Sequence, residues 1–332
     1  MNATGTPFAI SETGRNPSLS LDGTLVYLEG ASTARLARLV WRDRDGNHLG
    51  TIGQSQTSMS YPTLSPDGLK VAVSGEGDIW IHEVDRSVKT NFTTDEAREI
   101  WPTWSPSGDR IAFSSRRKGG RTIYTKRADG SGEPTEMVRN PEYWQYFNDW
   151  SPDERFVLFV PLSVNRGALD LWYLERKEDG QYEEVPFLQT TSEENAAKFS
   201  PDGRFVAYRS DRTEQREVFV CTFPECWNQQ RVSINGGSQP RWRKDGKELF
   251  YVEGNTLMAV AVSTDPTPTL GLPQKLFSSD SLVRRRGREL NYDVTPDGER
   301  FVIAEPVAEG AENSKPVVRV IQNWYEEFRD RE

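Results

Sequence analysis

One short motif recurs along the chain and leaves little freedom in what the chain can fold into. An apolar strand runs into Ser-Pro-Asp-Gly, or a degraded copy of it, and a second apolar strand follows. The copies occupy residues 17–23, 62–68, 102–108, 148–154, 197–203, 240–246 and 292–298, with a mean spacing near 46 residues. Proline fixes φ at the second position of a type I turn, Asp suits the third, and Gly supplies the left-handed position that closes the hairpin.

The strands around these turns repeat as well. Second strands read Leu25-Val-Tyr-Leu, Val71-Ala-Val, Ile111-Ala-Phe, Phe156-Val-Leu-Phe, Phe205-Val-Ala-Tyr, Leu249-Phe-Tyr-Val and Phe301-Val-Ile-Ala. Third strands follow, such as Leu39-Val-Trp, Ile79-Trp-Ile and Val317-Val-Arg-Val, and a fourth precedes the next turn. Four strands in each such period are the mark of a β-propeller blade. The expectation is an all-β, single-domain propeller over 1–332, with seven four-stranded antiparallel blades at about 14–57, 58–97, 98–140, 141–190, 191–234, 235–279 and 280–323. Six blades are the alternative, if one degenerate unit is a connector. The last unit lacks a fourth strand, and residues 324–332 carry the i, i+4 apolar spacing of a short helical tail. Residues 6–12 form a surplus strand and are expected to complete the last blade and close the ring, which would remove the exposed sheet edges.

The runs Pro-x-Trp-Ser-Pro-Asp-Gly at 102–108 (with Ser107 for Asp), Ile-Ala-Phe-Ser-Ser at 111–115 and Ile-Tyr followed by Ala-Asp-Gly at 123–130 resemble TolB-like (WD-like) propeller repeats. Segments 14–20, 39–46, 186–190, 236–242 and 321–325 more closely resemble the propeller region of bacterial Ser/Thr protein kinases. This resemblance implies a non-catalytic binding propeller, the sensor or interaction module of a bacterial signalling protein. No kinase motif is among these residues, so kinase activity does not carry over.

Composition narrows the function further. Lys plus Arg is 41 against 50 Asp plus Glu, a net charge of −9, which makes the chain a poor receptor for nucleic-acid phosphates. Apolar residues are only 35%, yet there are ten Trp, so the apolar content must be spread over many thin segments. No apolar run approaches the ~18 residues of a membrane span. The first residues lack the basic and apolar regions of a signal peptide, so none is expected. Cys221 and Cys226 can pair locally, although so few cysteines read more simply as two ordinary thiols.

Enzyme signatures are missing: there is no Gly-x-Ser-x-Gly elbow and no phosphate-binding glycine loop. His48 falls in a hairpin and His82 in a third strand, neither toward the axis. Asp43-Arg-Asp-Gly-Asn47 has the look of a calcium loop but lacks the remaining ligands, and reads as a hairpin turn. Three candidate sites remain. First strands line a propeller channel, and the residue two before the Ser-Pro position is polar in every copy: Ser18, Thr63, Thr103, Asp149, Lys198, Arg241 and Asp293. These groups either pair with one another around a solvated channel or anchor a charged ligand or peptide terminus. Asp149 and Asp293, with Asn148 and Asn291, are weak candidates for a Ca²⁺ ion, which would suit the alternative of a lactonase- or hydrolase-type propeller enzyme with a channel metal. Trp101, Tyr143, Trp144 and Tyr146 are expected to form one aromatic rim beside the channel. The loop Arg284, Arg285, Arg286 and Arg288 is either a solvated run or a site for an acidic partner. Trp104, Trp150 and Trp242 are assigned to packing between blades. The partner expected is a protein, a peptide or a small molecule at the channel mouth, bound by a monomer.

Overall fold

A computed structural model describes residues 15–20, 24–29, 36–140, 142–162, 169–265, 267–283, 291–307 and 317–322. The chain divides into two compact units, 36–306 and a smaller one built from both chain ends. Every regular element described is a β-strand, apart from one 3-10 turn at Asp280–Leu282.

The larger unit contains six antiparallel sheets. Sheet I is Ser60–Leu64, Lys70–Gly75, Asp78–Glu83 and Lys89–Asn91; sheet II is Glu99–Trp104, Arg110–Ser115, Thr122–Arg127 and Thr135–Val138. Sheet III is Trp144–Trp150, Phe156–Leu162, Leu171–Arg176 and Tyr182–Leu188; sheet IV is Glu194–Phe199, Phe205–Ser210, Glu217–Thr222 and Gln230–Arg231. Sheet V is Ser238–Trp242, Glu248–Glu253, Thr256–Ser263 and Thr269–Leu270, with Gln274–Ser278 also pairing on its third strand. Sheet VI joins Tyr292–Val294 and Arg300–Pro306 to Leu36–Asp43 and His48–Thr57.

Four of the six motif copies in this unit build the turn in the same way. In sheet I the Ser65 hydroxyl donates to the Asp67 carboxylate at 2.5 Å and accepts the Lys70 N–H at 3.0 Å, while Gly68 takes φ 73°. Serine thus holds both ends of the turn, a role beyond the turn propensities of Pro, Asp and Gly. Sheets III, IV and VI repeat the hydroxyl-to-carboxylate bond through Ser151–Asp153, Ser200–Asp202 and Thr295–Asp297.

Second strands are apolar on both faces because both faces are covered. Val71 and Val73 pack with Leu39 and Val302 of sheet VI, whereas Ala72 packs with Ile111 and Trp104 of sheet II. Phe205 and Ala207 pack toward sheet V, Val206 and Tyr208 toward sheet III. Alternate residues of one strand point to opposite faces, so a continuous apolar run is what two neighbours demand. The apolar clusters run from sheet I to II, II to III, III to IV, IV to V, V to VI, and VI back to I. The six sheets therefore form a closed cycle. Trp104, Trp150 and Trp242 are buried, each packed on the sheet before its own, as expected.

Closure differs from the sequence expectation. Leu36–Asp43 was expected beside the strand at Leu25 and instead pairs with Arg300–Pro306 over seven residues, from Arg300↔Asp43 to Pro306↔Ala37. Arg42 adds a two-pronged bond to Glu305, 2.8 and 3.2 Å. Val317–Ile321, expected beside Arg300–Pro306, pairs with Leu25–Glu29 over five residues. The longer strand takes the longer partner, gaining ladder bonds and burying Leu39, Val40 and Trp41. The fourth place in this sheet is filled by His48–Thr57, so the ring of sheets closes without the segment 6–12, which lies outside the described residues, as does 324–332. Arg15–Leu19, Leu25–Glu29 and Val317–Ile321 make a separate three-stranded sheet. The seven repeats thus do not give seven equivalent four-stranded sheets: there are seven sheets among the described residues, six of them in the cycle.

Candidate functional site

First strands face the middle of the cycle and enclose a cavity of about 320 Å³. Thr63, Thr103, Asp149, Lys198, Arg241 and Asp293 all line it. Ser18, the seventh member of the expected ring, is in the other unit.

The axial charges are largely spent on one another. Lys198 Nζ donates to Asp149 Oδ1 at 3.1 Å and to the Asn148 carbonyl at 2.7 Å. Arg241 Nε donates to Asp293 Oδ1 at 3.1 Å. The second oxygen of each aspartate accepts a backbone N–H from the next sheet in the cycle: Phe199 to Asp149 at 2.9 Å, Leu64 to Asp293 at 2.8 Å. Burial lowers the Lys198 pKa, with Asp149 opposing. Both aspartates therefore act as staples between neighbouring first strands. Asn148 and Asn291 are engaged too, Asn148 Oδ1 with the Ala197 N–H and Asn291 Nδ2 with the Ser281 carbonyl. Both carboxylates proposed for a cation, and the Asn148 amide oxygen, are thus committed within the protein.

Another part of the lining is aromatic. Tyr61, Trp101 and Tyr146 line the cavity; Trp101 and Tyr146 have ring centroids 4.4 Å apart, and Tyr61 meets Trp101 edge-on at 5.5 Å. Tyr61 and Trp101 sit at bulges in the first strands with φ of 55° and 61°, a region that bulky residues rarely enter. Ala196 and Gln239 hold the same left-handed position in sheets IV and V, two residues before Lys198 and Arg241. The bulge is thus a property of the repeat, and what varies is the side chain placed there.

The expected aromatic rim comes together only in part. Trp101 and Tyr146 meet; Tyr143 instead donates to Glu184 Oε2 at 2.5 Å and leans on Trp172, where burial raises its pKa. Trp144 lies under the Arg116 guanidinium, 4.6 Å from its ring centroid. All four are half-buried. The outward course of Tyr143 follows from Glu184 on the outer strand of sheet III, which also accepts from Asn140 and Gln145. Arg284, Arg285, Arg286 and Arg288 lie outside the described residues. One residue lining this wall and one buried against its aromatic rings escaped the sequence reading. Tyr61 carries no motif signal except its place two residues before Thr63. Arg121 closes the run Arg116-Arg-Lys-Gly-Gly-Arg121, whose charge was a visible signal.

The remaining polar candidates are structural. His82 is fully buried, its Nε2 3.1 Å from Gln56 Oε1, and burial with Lys89 lowers its pKa to about 4. Both Asp43 oxygens accept bonds from Asn47, which makes 43–47 the hairpin turn expected. Cys221 and Cys226 are joined in a disulfide, against the reading as two ordinary thiols. No helix among the described residues is long and apolar enough to cross a membrane.

Comparison with known proteins agrees with this architecture. No family model matches the chain. An uncharacterized protein of Agrobacterium fabrum is 31% identical over 154 residues, 43% of this chain and 52% of that protein. An uncharacterized peptidase of Bacillus subtilis is 27% identical over 200 residues, 47% of this chain and 30% of the peptidase. The Tol-Pal system protein TolB of Alcanivorax borkumensis is 31% identical over 87 residues, 25% of this chain and 20% of TolB. The chain spans about half or less of the length of these relatives. Among solved structures, one described as a TolB of Agrobacterium tumefaciens superposes with a TM-score of 0.63 at 16% identity, covering 84% of this chain and 100% of that one. The fold is a TolB-like β-propeller. One fold of this kind hosts many functions, so the assignment of a role rests on the cavity.

Proposed function

We propose that the chain is a non-catalytic binding propeller of six blades that takes an extended peptide segment at the aromatic wall of its axial cavity. The observation that carries this reading is the division of labour inside the cavity. Lys198, Arg241, Asp149 and Asp293 neutralise one another, so a ligand would meet the aromatic side chains of the same cavity, chiefly Trp101 and Tyr146. Aromatic side chains of this kind dominate binding energy at protein surfaces. A cavity of about 320 Å³ accepts one or two side chains of a peptide, not a folded domain. The resemblance to propellers of bacterial Ser/Thr kinases supports a place in a signalling protein, as its sensor or interaction module. The commitment of Asp149 and Asp293 to their cationic partners argues against the alternative of a channel-metal enzyme.

The test is a fluorescence-anisotropy screen of dye-labelled hexapeptides against the purified chain, repeated with Trp101→Ala. Bound peptides are expected to lose at least about ten-fold in affinity in the variant, the usual effect of removing an aromatic anchor. Peptides that bind equally well to both proteins, or no binding by any peptide, overturn the reading.

A further inference from the structure

Asn195 lines the axial cavity, is 9% exposed, and makes no side-chain hydrogen bond among the described residues. The polar groups around it are engaged. Asn148 Oδ1 accepts the Ala197 N–H at 2.9 Å, and its Nδ2 donates to the Tyr146 carbonyl at 3.0 Å. Lys198 is held by Asp149 and the Asn148 carbonyl, and Arg241 by Asp293. The indole N–H of Trp101 also lacks an acceptor, but it is sealed from solvent; the Asn195 carboxamide is not sealed and is met from the cavity.

Asn195 owes its access to the bulge that follows it. Ala196 takes φ 54° at the position where sheets I and II carry Tyr61 and Trp101. Ala196 also lines the cavity, so the space that an aromatic ring fills in those sheets stays open beside Asn195. Ser60, Ile100 and Ser238, which precede the bulge in sheets I, II and V, are not part of the lining. Asn195 stands level with Tyr146. The bond from Ala197 to Asn148 ties the two first strands two residues further along each, and the bond from Phe199 to Asp149 shows that they run in the same direction. A peptide seated on the ring of Tyr146 would therefore pass beside the Asn195 carboxamide.

A buried carboxamide with unmet donors and acceptors is unfavourable, and a structure retains one where something else completes it. Each backbone unit of a peptide offers one N–H and one C=O, which a carboxamide meets with its own oxygen and NH₂. The charges of the cavity are paired with one another, so a neutral amide suits this position better than a carboxylate or an ammonium group. Resting on the peptide-binding reading above, we propose that Asn195 binds one backbone amide of the ligand, Oδ1 accepting the N–H and Nδ2 donating to a carbonyl, while Trp101 and Tyr146 take a side chain. This contact is blind to the ligand's side chain at that residue. It fixes where the backbone lies and leaves sequence preference to the aromatic rings.

The experiment uses the hexapeptides that bind in the first screen, each remade as a set in which one backbone amide at a time is replaced by an ester. The ester removes the N–H and weakens the carbonyl as an acceptor without changing a side chain. In the unaltered chain one position of the set is expected to lose at least about five-fold in affinity, the effect of a hydrogen bond lost in a buried site. Asn195→Ala is expected to weaken the parent peptide by a similar factor. In that variant the same ester should cost less than about two-fold, because the partner of the amide is already gone. The Tm of the variant should stay within about 2 °C of the unaltered chain, since no hydrogen bond within the protein is lost. Where Asn195→Ala does not fold, Asn195→Leu, of similar shape, is read in the same way. Esters that all cost less than about two-fold in the unaltered chain overturn the proposal, as does an ester loss that persists in full in the variant. In either case the parent peptides would still bind and still respond to Trp101→Ala, so the peptide-binding reading would stand. Binding by no peptide at all overturns both readings.

Discussion

Two arcs of the same channel, built from the same repeat, solve the problem of polar groups on an axis in opposite ways. From sheet III round to sheet VI, Asp149, Lys198, Arg241 and Asp293 form two ion pairs whose spare oxygens hold the N–H groups of Phe199 and Leu64. From sheet I to sheet III, Thr63 and Thr103 take the equivalent positions, and the bulge residues are Tyr61 and Trp101. The contrast extends to the bulges themselves. Gln239, at that position in sheet V, is satisfied through Leu282, Asn291 and Tyr292, whereas Trp101 leaves its indole N–H without an acceptor. In one arc the channel-facing charges are paired within the protein, and in the other the Trp101 indole N–H has no acceptor among the described residues. The repeat supplies the geometry, and substitutions at two of its positions decide which arc carries ion pairs and which carries aromatic side chains.

The largest effect should come from opening the closed arc. Asp149→Ala leaves Lys198 buried without its charge partner and the Phe199 N–H unbonded, and is expected to lose about 3 kcal/mol in urea unfolding. Thr103→Ala, at the equivalent position of sheet II, should change stability by less than about 0.5 kcal/mol. Equal losses would mean that the arcs do not differ.

Removing a cation from each arc should move stability in opposite directions. Lys198→Met strands Asp149 and is expected to destabilise by about 1–3 kcal/mol. Arg121→Met removes a buried charge that has no ion-pair partner among the described residues and should be neutral or stabilising by about 1 kcal/mol. Thermal unfolding of the two variants side by side is the measurement; two shifts of the same sign would break the comparison.

A pH series separates both arcs from the wall behind sheet I. Buried His82 is held neutral, its pKa lowered to about 4 from 6.5 by burial and by Lys89. The unfolded chain takes up the proton near pH 6.5 and the folded chain does not, so stability is full above that pH. It should fall as pH drops toward about 4, by an amount on the order of 2–3 kcal/mol. His82→Gln should flatten urea midpoints between pH 7 and pH 5; an unchanged slope would show that His82 titrates normally.

The smallest effect concerns the seam between sheets II and III. Glu154 stands where other copies have Gly and takes φ 58°, while its carboxylate accepts the Ser107 N–H at 2.9 Å. Left-handed strain of about 1 kcal/mol is thus set against an exposed hydrogen bond and the added freedom of an unfolded Gly. Glu154→Gly should shift stability by no more than about 1 kcal/mol, with the Tm as readout. A larger loss would make the Glu154 bridge a staple comparable to Asp149.

The sequence by itself determined the local chemistry. Proline, Asp and Gly at fixed offsets specify a turn wherever they occur, and Gly68, Gly203 and Gly298 all adopt the positive φ that the motif demands. Apolar runs such as Phe205-Val-Ala-Tyr require cover on both faces, and the strand-turn-strand pattern required a cycle of sheets. The polar register of the first strands was equally readable, because Asp149 and Asp293 are fixed to the turns that follow them. Partner choice was decided only in the tertiary structure. Leu36–Asp43 carries the pattern of a third strand whichever second strand it meets, and ladder length and burial sent it to Arg300–Pro306. The same holds for side chains: Tyr143 and Tyr146 are three residues apart, yet Glu184 draws one outward while Trp101 and Arg121 hold the other at the cavity. Pairing of Cys221 with Cys226 likewise depended on the short loop after Glu217–Thr222 bringing the two sulfurs together. Turn chemistry acts over four or five residues and is written where it acts, whereas strand pairing, ion pairing and burial are competitions among distant segments, resolved by whichever contacts the assembled ring permits.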